Sequence, residues 1–114
     1  MAQQPSANRH YLGAVPTTIG AVIATDSSTY AIVTSIRLVN NDSADHTVSM
    51  WIVPSGGSVD NNANMFLPAE VVKAGTVNHE TQLGVVLEPG DTVYMLADGA
   101  GVSCFISGAS LASI

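Results

Sequence analysis

Apolar residues recur in short bursts about ten residues apart, each bounded by turn-forming residues, as in a sandwich or barrel. The clearest burst is 30–40. Ile32, Ile36 and Leu38 fall on one face with Thr34 between them; Ser35 and Arg37 fall on the other, flanked by Val33 and Val39. This is the period of two expected of a strand. The β-branched residues that dominate it favour the pleated state. Residues 46–54 repeat the pattern, with Val48, Met50 and Ile52 on one face and Ser49, Trp51 and Val53 on the other. The Asn40-Asn41-Asp42-Ser43 connection tolerates left-handed backbone and predicts an antiparallel hairpin between the two.

Weaker bursts predict strands at 11–15, 21–25, 65–67, 76–83 and 85–87. Residues 70–73 fit a short strand or one helical turn, too short to be stable alone. Glu88-Pro89-Gly90-Asp91 predicts a type II turn, with Pro presetting φ and Gly accepting positive φ. Residues 92–97 and 101–107 are expected to pair across Asp98-Gly99-Ala100, with Val93 and Met95 facing Val102, Cys104 and Ile106. About eight short strands and no amphipathic helix of useful length predict an all-β, antiparallel, jelly-roll-like sandwich. Residues 1–10 are expected to form a flexible polar arm, and 11–114 a single domain.

Composition narrows the function. Charged residues are only 11% of the chain, against about 25% in an average domain. Ser, Thr and Asn carry the polar surface instead, and neutral groups are cheaper to desolvate than charges. Such a surface suits coverage by other protein. Arg9, Arg37 and Lys73 are the only basic residues besides histidine, and the net charge is −6. Nucleic-acid binding by phosphate neutralisation needs clustered cations, which are missing. An anionic membrane surface repels the chain, and no apolar run reaches the ~20 residues of a bilayer span. Pro16, Thr17 and Thr18 interrupt the mildly apolar stretch after Arg9 and His10, so it reads as mature protein and not as a signal peptide.

Catalysis needs convergent titratable groups. His10, His46 and His79 stand far apart without ligand spacing. Cys104, the single cysteine, shares a face with Val102 and Ile106 and reads as a small core residue. Asp42 with Asp45, and Asp60 with Asn61 and Asn62, lack the ligand spacing of a calcium loop and fit turn chemistry. No catalytic residue, metal or cofactor is expected. The residues that invite a functional reading are apolar and on the outward face: Trp51, Val53, Phe105, Val33 and Val39. They are the candidate protein interface. Two other readings of the same pattern are reversed faces and coverage of the outer face by loops.

The run from Tyr30 to Asn41, the run from Val48 to Gly57, and Leu87-Glu88-Pro89-Gly90-Asp91-Thr92-Val93-Tyr94 together resemble small virion proteins of tailed bacteriophages. These are sandwich or jelly-roll modules used for capsid decoration or as neck, tail and fibre accessories. The resemblance covers 30–108 and transfers no functional residue, because this class works by surface packing. It implies a non-enzymatic decoration (cement) protein on the capsid exterior that bridges subunits. The implied partners are the major capsid protein or other virion proteins, with a dimer or trimer gaining avidity. One alternative is a tail, neck or fibre accessory binding host glycans, with Trp51 or Tyr94 beside Asp60–Asn64 as the sugar platform. A cupin-like hydrolase or isomerase is the other, and it lacks the required histidine cluster.

Overall fold

Alternation of apolar and polar residues translates into nine strands in a computed structural model that describes residues 6–81 and 83–112. They are β1 (Ser6–Ala14), β2 (Gly20–Ala24), β3 (Thr29–Asn40), β4 (His46–Val53), β5 (Met65–Val72), β6 (Val77–Glu80), β7 (Val85–Leu87), β8 (Thr92–Ala97) and β9 (Val102–Ala112). One sheet has the order β1-β9-β3-β6, with β7 also on β3; the other has the order β2-β8-β4-β5. Every pairing is antiparallel. The chain crosses between the sheets at most connections, which gives the winding of a jelly roll with β6 and β7 sharing one strand position. The chain is thus an all-β sandwich.

Two expected hairpins are absent. β3 and β4 lie in different sheets, as do β8 and β9. Alternation specifies which face of a strand is buried and not which strand it pairs with, so a short polar connection can arch between sheets as readily as fold back. Val93 and Met95 do face Val102, Cys104 and Ile106, but across the core. The turn at Glu88–Asp91 forms as expected: the Asp91 amide donates to the Glu88 carbonyl at 3.0 Å, and Gly90 has φ 91°. Residues 65–72, expected as two pieces, make one strand. β5 is an edge strand, where Pro68 forfeits no ladder bond it must make. Ala69 next to it adopts φ 38°, and its amide donates to Ser49 Oγ at 3.1 Å. Residues 6–10 of the expected arm belong to β1, with 6–9 paired to β9, while 1–5 lie outside the described residues.

β3 is not a simple alternating ribbon. Val33 pairs with Gly108 and Ser35 with Ser107, so Thr34 is an extra residue, a β-bulge. One extra residue reverses the parity: Ala31 and Val33 point inward before it, and Ile36, Leu38 and Asn40 after it. The edge partner changes at the same place, from β7 opposite 31–33 to β6 opposite 36–39. The Thr34 carbonyl is satisfied there by the Leu83 amide at 3.0 Å.

Leu38, Val48, Leu87, Met95 and Ile106 are fully buried between the sheets. The space left beside Ile36, Met50 and Val93 is only about 10 Å³, room for one water at most. The interior is therefore filled by its own side chains. Two polar residues are buried, His46 and, more deeply, Asn40. Asn40 Nδ2 donates to the carbonyls of Ala44 and Val72, each at 2.9 Å, and its Oδ1 accepts from the Asp42 amide at 2.9 Å. Asn40→Ala strands these groups. A loss of about 2–3 kcal/mol in urea denaturation is expected, since an unsatisfied buried polar group costs about 1–3 kcal/mol.

Candidate functional site

The five candidate interface residues separate into three situations. Phe105 and Val39 lie on the outer face of the five-stranded sheet, Phe105 being 36% exposed and Val39 half-buried. Val33 is in the core at 3% exposure, because the Thr34 bulge turns it inward and turns Ile32 outward. Trp51 and Val53 do lie on the outer face of the four-stranded sheet, opposite Met50 and Ile52, yet each is only 3% exposed. The connection between β4 and β5 covers them. Trp51 Nε1 donates to Asn61 Oδ1 at 2.9 Å, and the Ile52 amide donates to the Asn64 carbonyl at 2.9 Å. The indole is thereby unavailable as a sugar-stacking platform, while Tyr94, its cross-strand neighbour on the same face, is half-buried.

The five-stranded sheet has no such cover among the described residues. Its register sets outward side chains in rows across the strands. Leu12, Phe105, Arg37 and His79 form one row. Ala14, Ser103, Val39 and Val77 form the next. Beyond the bulge, Ala7, Ala109, Ile32 and Val86 form another. Leu12 and Val86 are each 57% exposed, and Val77 is also open. None of these three stood out in the sequence. Leu12 and Val86 lie in short apolar bursts whose outward face becomes visible only once the pairing to β9 and β3 is known. Four strand spacings of about 4.8 Å by eleven residues at about 3.4 Å give about 700 Å². One partner in a standard interface contributes about 800 Å².

The polar clusters are structural. His46 Nδ1 lies 2.7 Å from Asp98 Oδ1, and Nε2 lies 2.7 Å from Asp42 Oδ2. Asp42 sits on the β3–β4 arch and Asp98 on the β8–β9 arch, so one imidazole joins the two crossings between sheets. The Asp98 amide donating to Thr47 (3.1 Å) and the Asn41 amide donating to Gly101 (2.9 Å) fix the same end. The Asp42 and Asp98 hydrogen bonds raise the His46 pKa above 6.5 against the opposing effect of burial. The His46 hydrogen bond lowers both carboxyls below 3.8. As an imidazolium His46 donates from both ring nitrogens, so neither is left for a metal or for taking a proton.

The signs give a pH profile. The His46 contribution is fully present below pH 6.5 and disappears as pH rises through its higher folded-state pKa. The Asp42 and Asp98 contributions are present above 3.8 and disappear as pH falls through their lower folded-state values. The urea midpoint is expected to be highest between these limits. His46→Gln should lower it there and flatten the decline on the alkaline side; an equal alkaline slope in both proteins would remove His46 from the account.

The other candidates are likewise spent. Cys104 is buried, and desolvation pushes its thiol up to about 12. Asp60 Oδ1 accepts from the Asn62 amide at 2.8 Å, and Asp45 Oδ1 accepts from the Ala74 amide at 2.9 Å. His10 Nε2 donates to the Ile32 carbonyl at 3.1 Å. His10, His46 and His79 do not converge, and no group of three metal-ligating side chains occurs among the described residues.

No protein-family model matches the chain, and no curated protein sequence matches it. Among solved structures it is similar to a chain of infectious bursal disease virus, Gx strain, at 9% identity and a TM-score of 0.49, covering 99% of this chain and 32% of that one. It is also similar to a chain of the Gt strain of that virus, at 10% identity and a TM-score of 0.40, covering 98% and 29%. The chain thus spans about a third of the length of those it matches.

Proposed function

We propose that this chain is a non-enzymatic structural protein of a virus particle, a decoration protein that docks on the outside of the capsid shell and bridges neighbouring subunits. The observation that carries this reading is the uncovered apolar face of the five-stranded sheet, in a domain whose Trp51, on the other sheet, is sealed by its own loop. Apolar rows of this extent on one sheet face suit coverage by other protein. The sequence resemblance to small phage virion proteins supports the same class. A jelly roll alone does not choose a function, since capsid, lectin and cupin domains share it. Many copies on a repeating shell gain avidity from modest individual contacts.

The test is direct. Purified chain is mixed with shells assembled from the major capsid protein of the same virus, and the particles are imaged by electron cryo-microscopy. Density for the domain at regular exterior positions, with its five-stranded sheet toward the shell, is expected. Bare shells at saturating protein would end the proposal.

A further inference from the structure

The docking face carries a charge opposite to that of the whole chain. The sequence holds nine carboxylate residues and a net charge of −6. Seven of the nine lie in connections: Asp26, Asp42, Asp45, Asp60, Glu88, Asp91 and Asp98. Glu70 is on β5 of the other sheet, and Glu80 pairs with Ile36, whose side chain points inward. The outward face of the five-stranded sheet therefore has none. It does hold two of the three Lys and Arg residues of the chain. Arg37 sits between Phe105 and His79, and Arg9 lies opposite Ser107. Among the described residues neither arginine has an ion-pair partner.

We infer that this face is built for a carboxylate-bearing apolar surface of the capsid protein, with Arg37 as its electrostatic anchor, and not for a second copy of this chain. The inference rests on the docking role proposed above and specifies the chemistry of the partner. Arg37 lies one row in from the end of the face, beside apolar Leu12 and Phe105, and Arg9 lies in the next row. A two-fold contact of the face with itself gathers Arg9 and Arg37 of both copies into one seam. That seam has no carboxylate on either side to separate the four cations, and such like-charge juxtaposition disfavours the pairing. A partner offering Asp or Glu within an apolar patch meets the guanidinium with paired hydrogen bonds and covers the apolar rows.

The chain supplies its own probe. Lys73 is the only lysine, so in the R37K/K73R double variant position 37 carries the sole lysine ammonium. The full-length variant is bound to assembled shells and treated with a zero-length carbodiimide coupler, and linked peptides are identified by mass spectrometry. An amide between position 37 and an Asp or Glu of the capsid protein is expected. R37E should lower shell occupancy about 30-fold or more at an unchanged melting temperature. Three results overturn the inference while leaving docking itself intact: shells that carry the double variant with no amide at position 37, an amide joining position 37 to a second copy of this chain, or R37E binding like the wild type. Failure of the wild-type chain to occupy shells overturns the docking reading and this one with it.

Discussion

Gly108→Ala is expected to prevent the five-stranded sheet from closing. A Cβ on Gly108 would collide with the Ile32 carbonyl oxygen and lie 3.1 Å from the Thr34 amide nitrogen. Both obstacles are backbone, so no side-chain rotation relieves them. The crowding has a definite origin. β9 is flanked on both sides of Ser107 by irregularities in its neighbours, Thr34 of β3 at Ser107–Gly108 and His10 of β1 at Ile106–Ser107. The Ile32 carbonyl is thereby directed at Gly108, and His10 Nε2 donates to that carbonyl. A destabilisation of about 4 kcal/mol or more, in the exceptional range for a single substitution, should appear in denaturant unfolding or as failure to recover folded protein. Gly84→Ala is the control, because a Cβ there meets nothing within 4 Å and its φ is not in the left-handed region. Similar stability of the two variants would show that the strands slide past each other easily at this point.

The Leu12→Asp/Phe105→Asp double variant is expected to fold normally and to lose the shell. Both side chains are exposed in the isolated domain and adjacent across β1 and β9, so removing them leaves the core untouched. Covering two large half-exposed apolar side chains contributes roughly 2–3 kcal/mol. Its loss corresponds to about 100-fold weaker docking, before the burial of two new carboxylates is counted. Val71→Asp places one carboxylate, half the charge of the double variant, on the other sheet at a residue 49% exposed, and should dock like the wild type. Circular dichroism melts establish that all three proteins fold, and sedimentation with shells reports occupancy. Equal loss in both variants would mean that added negative charge, and not this face, controls docking.

Much of the architecture was legible from alternation alone. β3 and β4 declare themselves, and Leu38, Val48 and Met50 fall where a buried face requires them. Alternation fails where its assumption fails. The residue inserted at Thr34 is ordinary in composition, so nothing marks the place where Val33 turns in and Ile32 turns out. Strand partners are also hidden, because a two-residue period records burial and is silent about pairing; hence two arches stand where alternation predicts hairpins. The candidate face was half visible. Phe105 and Val39 could be read from their own strands. Leu12, Val77 and Val86 join them only through registers set by residues far away in sequence. Trp51 and Val53 were assigned to the correct side of their strand, but coverage by the Asn-rich connection depends on one amide, Asn61, reaching the indole. The His46 staple likewise joins residues 42, 46 and 98, and no spacing rule links the last to the others.

The position of β9 between β1 and β3 has a consequence for how the polypeptide emerges from the ribosome. Among the described residues β1 pairs only with β9, and β3 holds only the short β6 and β7 on its other flank. Until the last strand is translated, a nascent chain therefore carries two long ribbons with open hydrogen-bonding edges, which is the condition that invites association with neighbours. Closure then comes as one insertion that draws together residues as distant in sequence as Ser6 and Ser110, a topology that folds slowly.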